Sequence, residues 1–482
     1  MKNLRKYFII GGEYFPRSTA VVLEIGEHMS IASSSNDKII YKIRCFLAGD
    51  IFTVILFALA AMVLFLNAEI PGAIFFGLII CAVLILSDDL LSCIMPLLLL
   101  VSFAIRCKNS YDDFMEFIWI LPIPIFAIIF HAVVYRKSFD FKKGKLLVPM
   151  CIASVATMTG GLGIITTEEY FSTISLAYMF TLGFGTVLVY LIFGAQLQPG
   201  KNYTDNIDIR LSKIMITTTL FLCFAVLQYY GENWEKFIMD PDILPFQWRN
   251  NACTILMIAM PFSFYMSTKK FPYIITAFLS YGIMLLSGSR GGMIFGGIEL
   301  LILIIYFAVI DKKHRKILLG IVAAIGVAGI VLLPKLIYIF RYTIERLTSY
   351  SENAIRLGLL RRSVEDFLSN PLTGRGLGYM GNRDIHKSAT ATLCWYHSQI
   401  PQVIGSFGLV GIGAYGYQLI CRVKFFISEQ SLFAKTVFLS FIGLELMSVV
   451  NPGIFAPLYL MIITVLFAIV ENYKLKGGYP EL

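Results

Sequence analysis

Charged residues are scarce in this sequence. Asp, Glu, Lys and Arg make up 15% of its 482 residues and 57% are hydrophobic, whereas a soluble domain carries about 25% charged residues. The mean hydropathy is +0.75. This composition argues against an ordinary soluble protein and predicts that most of the chain lies in lipid. The N-terminus also lacks a short apolar run followed by a cleavage site, so no cleaved signal peptide is predicted.

Histidine and paired cysteines are sparse as well. The sequence has five histidines and nine cysteines, and no two cysteines are spaced as C-x-x-C. Most cysteines lie inside apolar runs, as Cys81 and Cys223 do. These absences argue against a disulfide framework and a zinc site, and we predict neither a metal nor a cofactor. In a membrane protein the location of positive charge matters more than its sum, and no nucleic-acid partner is predicted from the net charge.

Fourteen segments are candidates for membrane-spanning helices. A helix needs about 20 predominantly apolar residues to cross the hydrocarbon core. The sequence therefore predicts an all-α polytopic membrane protein, with about 14 transmembrane helices and one large extracytoplasmic loop that contains short helices. The candidate segments are residues 47–67, 71–87, 90–106, 116–135, 146–166, 170–194, 212–231, 252–267, 271–288, 292–310, 316–340, 400–420, 434–450 and 453–471.

The gaps between these segments alternate in charge. With the N-terminus in the cytoplasm, every basic gap returns there, as "YRKSFDFKKGK" (135–145) and "DKKHRK" (311–316) do, while opposite gaps such as "TTEEYF" are poor in Lys and Arg. Cytoplasmic loops of membrane proteins carry this excess of Lys and Arg. The alternation predicts a multi-pass protein of the cytoplasmic (inner) membrane with both termini in the cytoplasm.

Five regions follow from this topology. We predict a cytoplasmic N-terminal segment (1–46), helices 1–11 (47–340), a large extracytoplasmic loop (341–399), helices 12–14 (400–471) and a cytoplasmic tail (472–482). The large loop carries eight Lys and Arg residues although it lies outside. Because outer loops usually avoid such charge, this exception indicates a function for the loop.

One arginine stands at the predicted outer end of the ninth segment, in "LLSGSRGGMIF" (285–295). In one interpretation the glycines make a turn and Arg290 snorkels to the lipid headgroups. In the other, glycines such as Gly291 let a phosphate approach closely, and the planar guanidinium of Arg290 binds it. The motif alone leaves both interpretations open.

The large loop contains a predicted helix, "SENAIRLGLLRRSVEDFLSNP" (351–371), which a proline ends. Arg356 lies on the same helical seam as the apolar Leu360 and Phe367, so it faces the protein or the membrane. It is either paired with Glu352 or an inward-facing anion ligand. Two further pairs are interpreted as ordinary solvated ion pairs, and these are Arg361–Glu365 and Arg362–Asp366.

A glycine-rich turn and a histidine follow this helix. The turn "PLTGRGLGYMG" (371–381) contains Gly374, Arg375 and Gly376, and such a turn can cradle a phosphate with backbone N–H groups. The next stretch, "CWYHSQIPQVIGSFGLVG", places His397 at the predicted boundary of water and membrane. His397 is either a hydrogen-bonding residue or a base, since neutral imidazole takes protons from hydroxyl groups near neutral pH.

Together these stretches resemble the O-antigen ligase/polymerase superfamily, membrane enzymes that transfer or polymerise lipid-linked glycans. "GSRGG" is similar to the family's arginine–glycine turn between two helices, which indicates Arg290. "IRLGLLRRSVEDFLSNPLTGRGLG" is similar to its arginine, short helix and Pro-Leu-x-Gly-x-Gly turn, which indicates Arg356. "YHSQIPQVIGSFGLVG" is similar to its histidine-led opening of a helix, which indicates His397. The resemblance covers roughly residues 270–420.

The resemblance implies a chemistry for these residues. The donor would be undecaprenyl diphosphate carrying a sugar chain at the outer leaflet, with a lipid-linked glycan as acceptor. Arg290 and Arg356 would bind the diphosphate, with Arg375 as a weaker third ligand, because fixed guanidinium groups stabilise a developing negative charge. His397 would deprotonate the acceptor hydroxyl in a metal-independent, inverting displacement. The supporting glycines would be Gly291, Gly374 and Gly376.

Several functions stay open at this stage. We favour a polymerase, which would extend capsule, O-antigen or exopolysaccharide chains, because it serves all three pathways. The alternative is a ligase, which would move a finished glycan to a lipid or protein acceptor. The resemblance implies the bilayer, a flippase and a chain-length regulator as partners. Outside the family, the alternatives are a polysaccharide flippase or transporter and a non-catalytic scaffold. The sequence does not favour a transporter, because charges cluster at helix ends, one outer loop is large and no halves repeat. A scaffold predicts that Arg290, Arg356 and His397 tolerate replacement.

Overall fold

The computed structural model describes residues 35–106, 116–160, 179–196, 206–235, 249–339, 341, 345, 350–377 and 396–475. Most of these residues are helical, and none of them forms a strand. Short 3-10 or π turns connect several of the helices. The α-helices, in chain order, are α1 (Ser35–Ala48), α2 (Asp50–Phe65), α3 (Glu69–Leu86), α4 (Ile94–Arg106), α5 (Pro122–Val134), α6 (Leu147–Gly160), α7 (Thr186–Gln196), α8 (Ile207–Glu232), α9 (Arg249–Ser267), α10 (Ile274–Leu286), α11 (Arg290–Ile310), α12 (Arg315–Val331), α13 (Leu333–Ile339), α14 (Tyr350–Ser369), α15 (Gln399–Ser428), α16 (Leu432–Ser448) and α17 (Pro457–Leu475).

Each of the fourteen predicted segments overlaps one of these helices. In hydrocarbon the backbone must satisfy its own hydrogen bonds, and a helix does so within one segment. Four described helices are long and apolar enough to span a membrane, namely α3, α8, α11 and α15. The pair α1 and α2, bent by 60°, adds a fifth if it forms one span. The all-α class is therefore confirmed, while the count of fourteen and the region boundaries stay predictions.

Helix α9 forms the centre of the bundle. Residues 252–267 are all buried, and α9 packs against α8, α10, α11 and α16. A helix that is apolar on all sides belongs in an interior. Helix α12 is the opposite case, since Leu318 is its only buried residue. The bundle is therefore arranged around α9. The first residue of this helix, Arg249, lies at the end of the bundle that holds the candidate site.

Contacts between loops define two ends of the bundle. At one end, which we call the basic end, Arg210 pairs with Asp89 and His314 stacks on Phe271. These residues lie in or beside the gaps predicted to return to the cytoplasm. At the opposite end the hydroxyl of Ser289 donates to Asn250, between the starts of α11 and α9. These contacts lie at opposite ends of the bundle, and the side on which each predicted gap lies stays a prediction.

A buried ion pair holds the basic end together. Arg210 Nη1 lies 2.5 Å from Asp89 Oδ2, and the side chains are 8% and 4% exposed. Arg210 Nη2 also donates to Ser92 Oγ at 2.7 Å. Removing one partner of such a pair leaves a buried charge uncompensated, which costs about 3–5 kcal/mol.

We therefore expect Arg210→Met to lower the thermal unfolding temperature of the detergent-solubilised protein. The double variant Arg210→Met/Asp89→Asn should recover part of this loss, because no unpaired charge is left, and the asparagine can still accept from the Leu91 N–H as Asp89 does. Tryptophan fluorescence during heating measures both. If the double variant unfolds at a lower temperature than the single variant, the loss does not arise from the unpaired carboxylate.

Candidate functional site

Arg290 begins α11 in a well-defined turn. Gly288 has a φ of +71°, and the hydroxyl of Ser289 accepts from the Gly292 N–H at 3.1 Å. The same hydroxyl donates to Asn250 Oδ1 at 2.8 Å. The N-terminus of a helix carries partial positive charge, so the half-buried guanidinium of Arg290 extends from a position that already favours an anion.

Gly291 and Gly292 allow close helix packing. A Cβ at Gly291 would lie 2.9 Å from Met447 and from Val450 of the α16 end, and one at Gly292 would lie 2.5 Å from Cys253 Sγ of α9. The space that the sequence assigned to a phosphate beside Gly291 is therefore filled by neighbouring helices. Among the glycines of "SGSRGG", only Gly288 has the positive φ that a turn requires.

A second arginine reaches this end of the bundle, and the sequence reasoning missed it. Arg249 is the half-buried first residue of α9. Its neighbour Asn250 accepts a hydrogen bond from Ser289, so the starts of α9 and α11 lie side by side. The available signal was "QWRNN", which puts an arginine in an outer gap that is otherwise poor in Lys and Arg.

The inward face of α14 is polar. Arg356 is half-buried and shares helical spacing with three buried residues further along. On the predicted seam Leu360 is 45% exposed and Phe367 is half-buried, so whether that seam faces the protein or the membrane stays a prediction. Val364 and Leu368 continue the exposed apolar stripe along α14. The side chain of Glu352, the alternative partner of Arg356, lies outside the described residues. The buried residues of this face are Leu359, Ser363 and Asp366.

The carboxylate of Asp366 joins α14 to the residue before His397. Its Oδ2 accepts from the Tyr396 hydroxyl at 2.6 Å, and its Oδ1 lies 3.5 Å from Arg362 Nε. Burial raises the pKa of Asp366 above its ordinary value, whereas the Tyr396 hydrogen bond and the Arg362 charge act in the opposite direction. Asp366 is 3% exposed, so its pair with Arg362 is not the ordinary solvated pair that the sequence predicted.

The glycine-rich turn packs against a break in α15. Gly408 has φ 57° and ψ −148° inside that helix, a conformation that is essentially restricted to glycine. The two N–H groups after the break donate to the carbonyls of Pro371 and Leu372, at 2.9 and 3.1 Å. The turn and the break therefore hold each other through backbone hydrogen bonds.

The predicted phosphate cradle is wrong for the described part of this turn. The N–H groups of Gly374, Arg375 and Gly376 donate to protein carbonyls at 2.9, 2.9 and 3.0 Å, so the protein itself uses them. Gly374 and Gly376 have φ values of +65° and +90°, and a Cβ at Gly374 would lie 2.4 Å from the Ser406 carbonyl carbon. The glycines thus permit the turn and its close contact with α15. Residues 378–381 of the motif lie outside the described residues.

The break converts α15 into a helical hairpin. Its first leg is residues 399–407 and its second leg is residues 409–428. Gln399 and Arg422 line one cavity of about 250 Å³, although on a straight helix they would lie about 35 Å apart. The continuous helix predicted over 400–420 is therefore corrected to two facing legs. Sequence periodicity does not reveal the break, because Gly408 lies within an otherwise helical pattern.

His397 lies directly before the first leg, between two anchored neighbours. Its φ is +53°, in the left-handed region that residues other than glycine rarely adopt. The Tyr396 N–H donates to Gln402 Oε1 at 3.1 Å, and Gln399 Nε2 donates to Glu445 Oε2 at 3.1 Å. Rare backbone conformations of this kind persist where the surroundings fix them, and they cluster at functional sites.

The structure brings His397 and Arg290 to the same end of the bundle. Gln399, two residues after His397, bonds Glu445 near the end of α16. The last turn of α16 packs in turn against Gly291, next to Arg290. Asp366 connects α14 to the same place through Tyr396.

Arg356 and Arg375 are not brought together. Arg375 Nε donates to Ser369 Oγ at 2.7 Å, at the end of α14. Arg356 lies about 20 Å earlier along the same helix, from the rise per residue. Any anion bound between Arg356 and other groups therefore lies away from Arg375.

The helices and the residues at this end of the bundle indicate the class of the protein. Long apolar helices indicate an integral membrane protein. Two arginines at helix starts and a histidine with a positive φ lie at one end of its bundle. Residues 275–416 match the family model described as O-antigen ligase. The match supports the O-antigen ligase/polymerase superfamily that the three motifs predicted. It contains Arg290, Arg356, Arg375 and His397 together, and it implies a glycan-transferring function with lipid-linked substrates. No curated protein matches the chain.

The break at Gly408 makes a direct prediction. Gly408→Ala should lower thermal stability and expose the α14–α15 connection to protease, because φ +57° is strained for alanine and its Cβ would lie 2.4 Å from Pro371 O. The matched control is Gly413→Ala, since a Cβ at Gly413 meets nothing within 4 Å. Limited proteolysis and thermal unfolding of the purified variants measure both effects. Equal behaviour of the two variants would contradict the hairpin.

Proposed function

We propose that this protein is a membrane glycosyltransferase that polymerises undecaprenyl-diphosphate-linked oligosaccharide repeats at the outer face of the cytoplasmic membrane. One observation carries the proposal. The stretch matching the O-antigen ligase family model includes both Arg290 and His397, and the structure puts these two residues at the same end of the helix bundle. Both termini would lie in the cytoplasm, and the flippase and chain-length regulator would be partners.

The proposed reaction is a single displacement at the anomeric carbon of the donor sugar. The acceptor hydroxyl oxygen forms a bond to that carbon while the bond from the carbon to the diphosphate oxygen breaks. The electron pair of the broken bond leaves with undecaprenyl diphosphate, and the hydroxyl proton passes to His397. Attack from the face opposite the leaving group inverts the configuration, and no carboxylate nucleophile is needed.

The arginines would stabilise the leaving group. Negative charge develops on the diphosphate as the bond breaks, and prepositioned cations lower the energy of that state. Arg290 would act from the start of α11, where the helix N-terminus also favours an anion. Arg356 would act from the buried face of α14, and Arg375 would contact a more distant part of the donor. The proposed step uses no metal.

A ligase is the second candidate, because the family model that matches is described as O-antigen ligase. A ligase would use the same donor, the same leaving group and the same base. Its acceptor would be a lipid core or a protein in place of another lipid-linked repeat. The residues of the described site are compatible with either acceptor.

Two experiments test these proposals. Purified full-length protein, given lipid-linked glycan extracted from cells that lack it, should form longer glycans in the presence of a chelator. Release of undecaprenyl diphosphate without any glycan transfer would contradict the transferase function. The glycans of the same cells distinguish the candidates: accumulated single repeats indicate a polymerase, and long unattached chains indicate a ligase.

A further inference from the structure

The residue before His397 is fixed by three contacts. Tyr396 is 3% exposed, its N–H donates to Gln402 Oε1 at 3.1 Å, and its hydroxyl donates to Asp366 Oδ2 at 2.6 Å. Its ring lies against the backbone of the first leg, since a Cβ at Gly405 would lie 2.7 Å from Tyr396 Cζ. The chain enters His397 from a residue with little freedom, so the position of His397 depends on Tyr396.

One of these three contacts comes from a different helix. Gln402 and Gly405 belong to the first leg of the hairpin, which His397 directly precedes. Asp366 belongs to α14 and lies 30 residues before Tyr396. The contacts with the first leg fix Tyr396 on its own hairpin, whereas the bond to Asp366 fixes it relative to α14.

The carboxylate that accepts this bond is itself held in place. Asp366 is 3% exposed, and its Oδ1 lies 3.5 Å from Arg362 Nε. The charges of Arg362 and Arg375 oppose the effect of burial on this carboxylate. Hydrogen bonds to carboxylates are stronger than those between neutral groups. Asp366 is therefore a fixed and strong acceptor for the Tyr396 hydroxyl.

The docking of α14 on the hairpin has other sources. Four backbone hydrogen bonds of 2.9 to 3.1 Å join residues 371–376, which follow α14, to residues 405–410 of the two legs. These bonds use main-chain groups alone, so they do not depend on the carboxylate of Asp366. Loss of that carboxylate should therefore release Tyr396 while α14 stays docked.

We propose that Asp366 is a positioning residue for His397, which holds the imidazole beside the acceptor hydroxyl through its bond with Tyr396. The assignment rests on the proposed function. A base acts only within hydrogen-bond reach of the proton that it takes, and a misplacement of about 1 Å can slow a reaction by about 10²-fold. The φ of +53° at His397 is a conformation that persists only where the surroundings fix it, and Asp366 supplies part of that constraint.

The same helix also carries the proposed donor ligand Arg356. Arg356 and Asp366 share the inward face of α14 and lie about 15 Å apart along it, from the rise per residue. The donor diphosphate and the base would thus both be located by one helix. This arrangement gives α14 a role in setting the distance between the leaving group and the acceptor.

Small substitutions separate this bond from the fold. Asp366→Ala removes the acceptor, and Tyr396→Phe removes the donor while the ring stays on Gly405. Asp366→Asn keeps an acceptor oxygen in the same place and is the rescue variant. The matched control is Ser363→Ala, because Ser363 is buried on the same face of α14 and its hydroxyl donates within that helix, to Leu360 O at 2.7 Å.

The test uses full-length purified protein. The donor is the lipid-linked glycan extracted from cells that lack the protein, and the acceptor is the same glycan released by mild acid and labelled at its reducing end. The first measurement is the rate of transfer onto the labelled glycan. The second is the stabilisation of the protein against heating by undecaprenyl diphosphate, which reports binding. The third is the acylation of His397 by diethyl pyrocarbonate relative to that of His314, measured by mass spectrometry, and it requires no activity.

Asp366→Ala and Tyr396→Phe should each lower the maximal rate of transfer by about tenfold or more. The double variant should lose no more than the larger single loss, because both changes remove the same bond. Acylation of His397 should become faster in these variants, while the stabilisation by undecaprenyl diphosphate stays at the wild-type value. Asp366→Asn should recover most of the rate, and Ser363→Ala should match wild type throughout.

Wild-type transfer in both single variants, or wild-type acylation of His397 in both, would overturn the assignment. So would additive losses in the double variant, because Asp366 would then not act through Tyr396. Loss of the stabilisation by undecaprenyl diphosphate would assign Asp366 to donor binding instead. A wild-type protein that transfers no glycan would refute the proposed function, and the acylation of His397 would still decide whether Asp366 holds it.

Discussion

Replacing His397 with alanine is expected to abolish glycan transfer while the protein still inserts and folds. A positioned general base contributes about 10²- to 10⁴-fold to a rate, and the acceptor hydroxyl has no comparable base when the imidazole is gone. The backbone should change little, because alanine and histidine carry the same Cβ and pay a similar penalty at a φ of +53°. Transfer onto the labelled glycan measures the loss.

His314 provides the control for this variant. It lies at the basic end, where its Nδ1 is 2.8 Å from Asp311 Oδ2, and it is far from the start of α15 in the fold. His314→Ala should therefore retain transfer. Full activity of His397→Ala would show that this residue has only a structural role, at the start of the first leg of the hairpin. Intact thermal stability in that variant separates loss of the base from loss of the fold.

The second large effect is expected for Arg290→Ala. Removing one group that stabilises developing negative charge slows an enzyme by about 10²- to 10³-fold, and here the group is a full charge at a helix start. Arg290→Lys should recover only part of the rate, because an ammonium is a point charge without the planar fork of a guanidinium. Release of undecaprenyl diphosphate is the measurement, since it reports the leaving group directly.

Arg315 is the matched control for Arg290. It also is the first residue of a helix, α12, but at the basic end, where it donates to the carbonyl of Ala308. Arg315→Ala should leave the release rate unchanged. If Arg290→Ala and Arg290→Lys both keep full activity, Arg290 has no role in binding the diphosphate.

Much of the architecture could be predicted from the sequence. Apolar runs predicted the helices, because each run must satisfy its own backbone in lipid. Charged gaps predicted which loops share an end, and the pairing of Arg210 with Asp89 reflects that grouping. The positions of Arg290 and His397 were also accessible, since both stand at boundaries between apolar runs.

The conformations of individual glycines were not accessible. Gly291 and Gly408 look alike in sequence, yet one is helical and tightly packed while the other breaks a helix. Which applies depends on the neighbouring chain, and Pro371 is such a neighbour from a different part of the sequence. The polar face of α14 was hidden for the same reason, because Asp366 is held by Tyr396 from a distant part of the sequence.

The backbone hydrogen bonds between the glycine-rich turn and the hairpin tip have a consequence for the divergence of this protein. They depend on main-chain groups, so an exposed side chain of the turn such as Leu372 can change without loosening the contact, whereas Gly374 and Gly376 cannot. They also hold the turn that precedes residues 378–395 against α15, the helix that follows them. A connection with fixed flanks tolerates changes in length and composition at low cost. Changes of length or composition in that segment are thus expected to leave the backbone position of His397 unchanged.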